Sequence, residues 1–227
     1  MLVIVPSRGR PRNIADLMCS WYETEANANL IVAIDDDDPE LNGYQDLFNV
    51  VHDDRYRLIV GPRLRMAGTL NTVAMSKVDE YDIIGFMGDD HRPRTPHWDA
   101  TVEDVFKQWP HCVVYGNDLM QGMNLPTQVF MSSSIIKTLG YMVPPGFTHL
   151  FLDNTWKAWG QAMSRLVYLH DTVIEHMHPQ AGKSEWDEGY IEVNGGEVWA
   201  ADEAAFKMYV AGSLHDDAIK LRGLVNG

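Results

Sequence analysis

Apolar residues in this chain fall in short runs that polar, glycine and proline breaks interrupt. Leu2 to Val5 is a continuous β-rich run stopped by Pro6 and Gly9. Continuous rather than alternating apolar runs of this length mark strands buried on both faces. Pro11 suits the first turn of a helix, and the spacing predicts one over Arg12 to Glu23. Leu30 to Ile34 reads as a second strand, broken by Asp35-Asp36-Asp37-Asp38-Pro39, and Arg57 to Val60 as a third, followed by Gly61-Pro62. A helix from about Ala67 to Val78 leads into the run Ile83-Ile84-Gly85-Phe86-Met87. Alternation of this kind predicts an α/β domain with a mostly parallel central sheet and helices on both faces.

The second half is less regular. Val102 to Trp109 reads as a helix, Cys112 to Tyr115 and Thr127 to Met131 as strands, and Ser132 to Leu139 as a helix. A Pro144-Pro145-Gly146 loop precedes a helix from about Asp153 to Met163. Short strands follow at Val167 to Leu169 and Thr172 to Glu175, then a turn-rich stretch with a short helix from Gly182 to Gly196, and one terminal helix from about Asp202. No repeat, low-complexity tract or Pro/Ser-rich linker interrupts residues 1–227, so a single domain is expected.

Composition narrows the classes. No stretch approaches the length of a membrane span, and the opening Met-Leu-Val-Ile-Val-Pro is too short for a signal-peptide core. Cys19 and Cys112 both lie in apolar-patterned segments and read as reduced core residues, which favours a cytoplasmic setting. A net charge of −14 opposes a nucleic-acid backbone as a global partner. It leaves room for a local basic groove, and Arg8, Arg10, Arg12, Arg55, Arg57, Arg63 and Arg65 cluster in the first third of the chain. Arginines grouped on an acidic background suit phosphate recognition, with a solvated surface as the plainer reading.

The sharpest chemical feature is Gly88-Asp89-Asp90-His91, directly behind a buried strand. Two adjacent carboxylates repel each other and call for a cation or a hydrogen-bonding partner, and open α/β sheets bind ligands at this edge. A divalent metal carrying a phosphorylated substrate answers both requirements. Upstream, Pro6-Ser7-Arg8-Gly9-Arg10-Pro11 forms a strand-to-helix turn whose backbone amides suit a base edge or phosphate. Of the four aspartates after the second strand, Asp35 lies nearest it and is the candidate for a base or ribose contact, the rest reading as a solvated loop. Gly68 and Asn71 fall at an expected helix start where a ligand can approach closely, with capping by Thr69 as the alternative. Asp153 opens a helix and is either a general base or an N-cap. Glu175-His176-Met177-His178-Pro179 places two imidazoles on one face of an extended segment, either of them a candidate to complete a metal shell, and Lys183 is placed to neutralise a diphosphate. Trp98, Trp109, Trp156, Trp159, Trp186 and Trp199 read mainly as packing, with a stacking platform for a sugar or base among them as the alternative.

These positions, in this order from Leu2 to about Lys183, resemble the GT-A type glycosyltransferases, particularly the large family 2-like group. The resemblance implies a Rossmann-like GT-A domain, with about 1–110 as the nucleotide-sugar half and about 111–227 as the acceptor half. Val3 to Arg8 looks like the family's first strand and nucleotide loop, and Asp35 matches its base-contacting acidic residue. Gly68 to Asn71 resembles the segment along the nucleotide, and Asp89-Asp90 falls at the Asp-x-Asp signature that grips metal and diphosphate. Asp153 lies where the family places its catalytic base, and His178 or His176 where many members have a late metal ligand. The signature's leading aspartate is absent, because Met87 or Gly88 stands there, so Asp90 is the preferred metal ligand and Asp89 the sugar-side contact. Asp153 also lacks an acidic neighbour common in the family, since Asn154 follows it. A compact chain with no membrane helix or appended domain resembles bacteriophage glycosyltransferases, some of which modify hydroxymethylated bases in DNA.

The implied activity is transfer of a sugar from a nucleotide-diphosphate sugar, a UDP-sugar favoured, with Mn²⁺ or Mg²⁺ at Asp90 and a histidine, Arg8, Arg10 and Lys183 sharing the diphosphate charge, and inversion at the anomeric carbon. Acceptors compatible with it are a hydroxymethylated pyrimidine in phage DNA, a protein or a glycan. Donor identity and oligomeric state leave no signature in the chain. Two competitors come from other classes. A polymerase palm also uses Gly-Asp-Asp, but needs more chain than this, and a non-catalytic nucleotide-sugar or interaction module needs no base.

Overall fold

The computed structural model describes residues 1–227. Strand β1 (Leu2–Ser7) sits at the centre of an eight-stranded sheet. It pairs in parallel with β2 (Asn29–Asp35) on one side and β4 (Ile83–Phe86) on the other, and β3 (Tyr56–Gly61) adds in parallel at the edge. Beyond β4 come β7 (Val129–Ser132), antiparallel, then β6 (Val113–Asn117), β8 (Leu166–His176) in parallel with β6, and the short antiparallel β5 (His91–Pro93). The expected mostly parallel α/β sheet is present.

Residue alternation along the strands builds two cores. Leu2, Ile4, Ile31, Ala33, Ile84 and Phe86 point into one cluster of 26 buried residues. Their neighbours Val3, Val5, Leu30, Val32 and Ile34 point into the other, of 21. The period of two in a strand makes this unavoidable once both faces are covered. Helices α3 (Arg65–Lys77), α5 (Ser133–Leu139) and α6 (Leu152–Ala162) cover the first face, and α1 (Pro11–Glu23), α2 (Leu41–Val50) and α4 (Trp98–Gln108) the second. After β8 come α7 (Glu188–Val193), α8 (Gly196–Ala211) and α9 (Ser213–Asn226).

Several expectations need correction. Helix α2 has no counterpart in the sequence reading, because its apolar stripe is sparse and only Tyr44 is fully buried. The two short strands expected at 167–175 are arms of one strand, β8, whose register with β6 slips between Gly116 and Asn117 where His170–Thr172 leave the ladder. The single terminal helix is two, α8 and α9, divided at Gly212. Both cysteines are free, but Cys19 is exposed on the outer face of α1 while Cys112 is buried. The four-aspartate segment is not wholly solvated, since Asp38 is buried and accepts from the backbone N–H groups of Gly9 (2.9 Å) and Glu40 (2.7 Å).

Candidate functional site

A cleft of about 880 Å³ lies along the carboxyl ends of the parallel strands. It is where open α/β sheets generally receive ligands. Ser7 at the end of β1, Asp35 at the end of β2 and Gly88-Asp89-Asp90 after β4 all line it. Gly88 is required by crowding, because a Cβ there would sit 2.5 Å from Asp90 Oδ1 and 3.1 Å from His91 Nδ1.

The two carboxylates are buried and differently held. Asp89 accepts from Ser7 Oγ (2.6 Å) and lies 3.3 Å from Arg10 Nη1. The Arg10 N–H donates to Tyr44 OH (2.8 Å), which is 2.8 Å from Ser7 Oγ. Since Ser7 gives its proton to Asp89, Tyr44 donates to Ser7, and one relay runs from the α1 N-terminus to Asp89. Asp90 Oδ2 accepts from Tyr190 OH (2.7 Å) and lies 3.1 Å from His176 Nε2. Burial, with the neighbouring Asp90 charge, raises Asp89 to about 6 against the pull of Arg10. Burial would raise Asp90 too, but His176 and His91 hold it well below the usual carboxylate range. Of the two, Asp89 is the one that takes up a proton first as pH falls.

Ligand atoms of Asp90, His91 and His176 lie within 4.8 Å of one another. One buried carboxylate and two imidazoles form an oxygen and nitrogen donor set that suits Mn²⁺ and related divalent ions. The residues fit a cation, though not equally. His91 Nδ1 already accepts the Gly88 N–H at 3.0 Å, so its lone pair is committed. The His91 ring stacks on His176 with centroids 4.3 Å apart and 17° between planes, which fixes the His176 ring. Asp90 and His176 are thus the better-placed pair, with the Tyr190 hydroxyl on Asp90 Oδ2 as the contact an ion would displace. His178, the other candidate ligand, lines the cleft but uses Nδ1 to cap the Pro179–Ala181 turn by accepting from Gln180 N (3.2 Å), outside this cluster. Burial alone would lower His176, yet Asp90 and Asp118 raise it, while burial and the His176 charge lower His91.

Sequence reasoning missed a second tier. Asp118, just past β6, is 1 % exposed and takes backbone N–H groups of Met120, Gln121 and Gly122 on Oδ1 and the Thr127 hydroxyl on Oδ2. Burial would raise it, but these donors hold it below the usual value. The signal available was a carboxylate at a strand's carboxyl end. Tyr190 and Asp187 had no signal, because they meet the site only through folding. Arg10 makes a bidentate pair with Asp187 (2.7 and 2.5 Å) and lies over the Tyr190 ring at 4.0 Å. Arg63 and Arg65 both pair with Glu192 of α7, and Arg8 with Asp35 (2.9 Å) and Asp37 (2.6 Å). Every arginine named here is matched by a carboxylate. Arg55 instead pairs with Asp53 away from the cleft.

Asp153 lines the cleft in the first turn of α6, where Phe151, not Asp153, is the N-cap residue. Its Oδ1 accepts only the N–H of Asn154 (2.8 Å), and burial raises it to about 6. His149, on the adjoining loop, is pushed down to about 4 by burial and is neutral at pH 7. That loop is held by Asp202 of α8, which is wholly buried and accepts from the N–H groups of Thr148, His149 and Leu150 at 2.8, 2.8 and 2.7 Å.

Three candidates lie off the cleft lining. Asn71 spends its amide on the loop beyond α5, donating to Val143 O and accepting from Met142 and Val143 N–H, all at 2.8 Å. Gly68 lies inside α3 against Leu64, because the helix begins two residues earlier than expected. Lys183 pairs with Glu175 at 2.9 Å. Pro6, Ser7, Arg8, Arg10, Asp35, Asp89, Asp90, Asp153, His176 and His178 all line the cleft.

No protein-family model matches the chain, and no curated protein matches it by sequence. Solved structures do match. TarS 1–349 from S. aureus in complex with UDP superposes with a TM-score of 0.57 at 14 % identity over 76 % of this chain. This chain spans 58 % of that TarS chain, under two thirds of its length. TarS 1–349 with UDP-GlcNAc matches over 85 % of this chain and 63 % of its own, with a TM-score of 0.57 and 14 % identity. The mannosyltransferase PcManGT from Pyrobaculum calidifontis, in complex with GDP-Man and Mn²⁺, matches over 98 % of this chain and 72 % of its own, with a TM-score of 0.61 at 12 % identity. The chain therefore shares the GT-A fold of these structures.

Proposed function

We propose that this protein is a metal-dependent glycosyltransferase that uses a nucleotide-diphosphate sugar. The observation that carries the reading is the meeting, in one cleft of a GT-A fold, of the buried Asp90 and His176 with Asp153. Structures of similar fold hold UDP, UDP-GlcNAc, or GDP-Man with Mn²⁺. Residues of about 1–110 supply the donor side, with Asp35 at the base and Arg8 and Arg10 near the phosphates, and about 111–227 supply the acceptor side. We retain a UDP-sugar as the favoured donor.

Asp90 and His176 would hold Mn²⁺ or Mg²⁺, and such an ion neutralises the leaving diphosphate. Arg10, half-buried in the cleft, shares that charge as it develops, which favours the transition state over the ground state. Arg63 and Arg65 line the same wall and take the role assigned to Lys183, whose ammonium is held by Glu175. Asp153 accepts the proton of an acceptor hydroxyl that attacks the anomeric carbon opposite the diphosphate, and single in-line displacement inverts configuration. The acceptor classes to compare are hydroxymethylated pyrimidine in DNA, protein and glycan. Trp199, half-exposed at the rim and packed edge-on against Phe151 at 5.3 Å, offers any of them an aromatic face. Free Cys19 and Cys112 suit a cytoplasmic enzyme.

A thermal-shift panel tests donor binding. UDP, GDP and other nucleoside diphosphates are added with and without Mn²⁺. Stabilisation by one nucleotide that requires the ion supports the reading, and no response to any nucleotide with Mn²⁺ refutes it.

A further inference from the structure

We propose that Asp118 is a positioning residue for His176, accepting the proton on Nδ1 so that Nε2 is the nitrogen presented to a cation shared with Asp90. The inference rests on the metal-binding reading above. A neutral imidazole binds a cation through one nitrogen only when its proton sits on the other, and the partner of that other nitrogen decides the tautomer. His176 Nδ1 is buried and has no hydrogen-bond partner. Asp118 Oδ2 is the polar atom facing it, at 4.0 Å. The backbone clamps the three residues together, since His176 N–H donates to Asp118 O (3.0 Å) and Met177 N–H to Asp90 O (2.8 Å). Asp118 cannot swing away. Three backbone N–H groups at 2.7 to 2.9 Å hold Oδ1, and the Thr127 hydroxyl holds Oδ2 at 2.8 Å, leaving one Oδ2 lone pair for His176. The same Thr127 oxygen lies 3.5 Å from His91 Nε2, so Asp118 and Thr127, bonded to each other, back the two stacked rings. A gap of 4.0 Å is longer than a hydrogen bond, so with Asp118 clamped the contact needs the His176 ring to tilt on the His91 face by about 1 Å.

The test needs no turnover. In protein carrying ¹⁵N-histidine and saturated with Mg²⁺, long-range ¹H–¹⁵N spectra should show His176 protonated on Nδ1. Asp118→Asn keeps an acceptor for the 120–122 turn but sets an N–H₂ against Nδ1, which favours the opposite tautomer. Mn²⁺ titrations read by electron paramagnetic resonance should then show affinity weakened about 10- to 100-fold. In a His176→Ala background the same Asn substitution should change Mn²⁺ affinity less than about 2-fold, because a positioning residue acts only through the ring it positions. A proton on Nε2 in the Mg²⁺-loaded parent overturns the proposal. So does an Asp118→Asn protein that binds Mn²⁺ like the parent, or equal losses in both backgrounds. A parent that binds no Mn²⁺ overturns the metal reading itself.

Discussion

At the scale of residues, two adjacent carboxylates in one turn have opposite fates. Asp90 stays charged because His176 and His91 face it, whereas Asp89 is raised toward neutrality by burial and by Asp90 itself. Their geometry depends on the absence of a side chain at residue 88. Gly88→Ala should push the Asp90 carboxylate off its position, costing about 1–3 kcal/mol of stability, with Mn²⁺ affinity falling in a direct titration. Asp153 sets the expected pH dependence. With its carboxyl raised to about 6, transfer should climb between pH 5 and about 7 and level off, and Asp153→Asn should abolish that limb while lowering kcat about 10²- to 10⁴-fold. The sign for stability is opposite. Between 3.8 and about 6 the folded donor-free protein holds a proton that the unfolded chain has released, so stability falls as pH rises through that window. Asp89, Asp90, Asp153 and His176 were legible in the sequence because each stands next to a strongly patterned strand or helix. Asp118 and Tyr190 were not, since each acts on a residue some 58 to 100 positions away that only the fold brings near.

At the scale of elements, the segment from Asp187 through α7 lies across the donor side of the cleft. Asp187 occupies Arg10, Glu192 occupies Arg63 and Arg65, and Tyr190 OH occupies Asp90. These are the groups the proposed donor and ion require, so the carboxylates compete with a diphosphate. Combined Asp187→Asn and Glu192→Gln should lower the donor KM several-fold, more at low than at high salt, in steady-state kinetics. Helix α8 acts on the acceptor side through Asp202. Asp202→Ala leaves three loop N–H groups without their acceptor and should cost about 3 kcal/mol, read as a melting temperature lowered by about 6–12 °C. Strands β1 to β4, β6 and β7 and helices α1, α3, α4, α5 and α6 were foreseeable from their periodicity, whereas the three-residue β5 is too short to carry a pattern. Helix α2 and the division between α8 and α9 were not, because Gly43 and two asparagines dilute one stripe and the other two helices present weakly segregated faces.

At the scale of the molecule, a centrally placed β1 delivers Ser7 to one edge of the sheet, and β2, β4, β6 and β8 deliver Asp35, Asp89-Asp90, Asp118 and His176 to that same edge. The alternation of apolar runs was enough to foresee this for β1, β2 and β4, since parallel strands joined by helices carry their carboxyl ends to one side, but not for β6, which reaches that edge through the antiparallel β7. The basic groove inferred from the arginine cluster was only half right. Arg8, Arg10, Arg63 and Arg65 do converge, but acidic partners that no local pattern ties to them neutralise each one. No helix is long and apolar enough to cross a membrane. The most direct test of sugar transfer is release of nucleoside diphosphate from a panel of nucleotide sugars. The parent should release it slowly with Mn²⁺ and stop when a chelator is added, and Asp90→Asn should lose at least about 10²-fold in rate. Release by Asp90→Asn at the parent rate, or by the parent in excess chelator, would contradict the assignment.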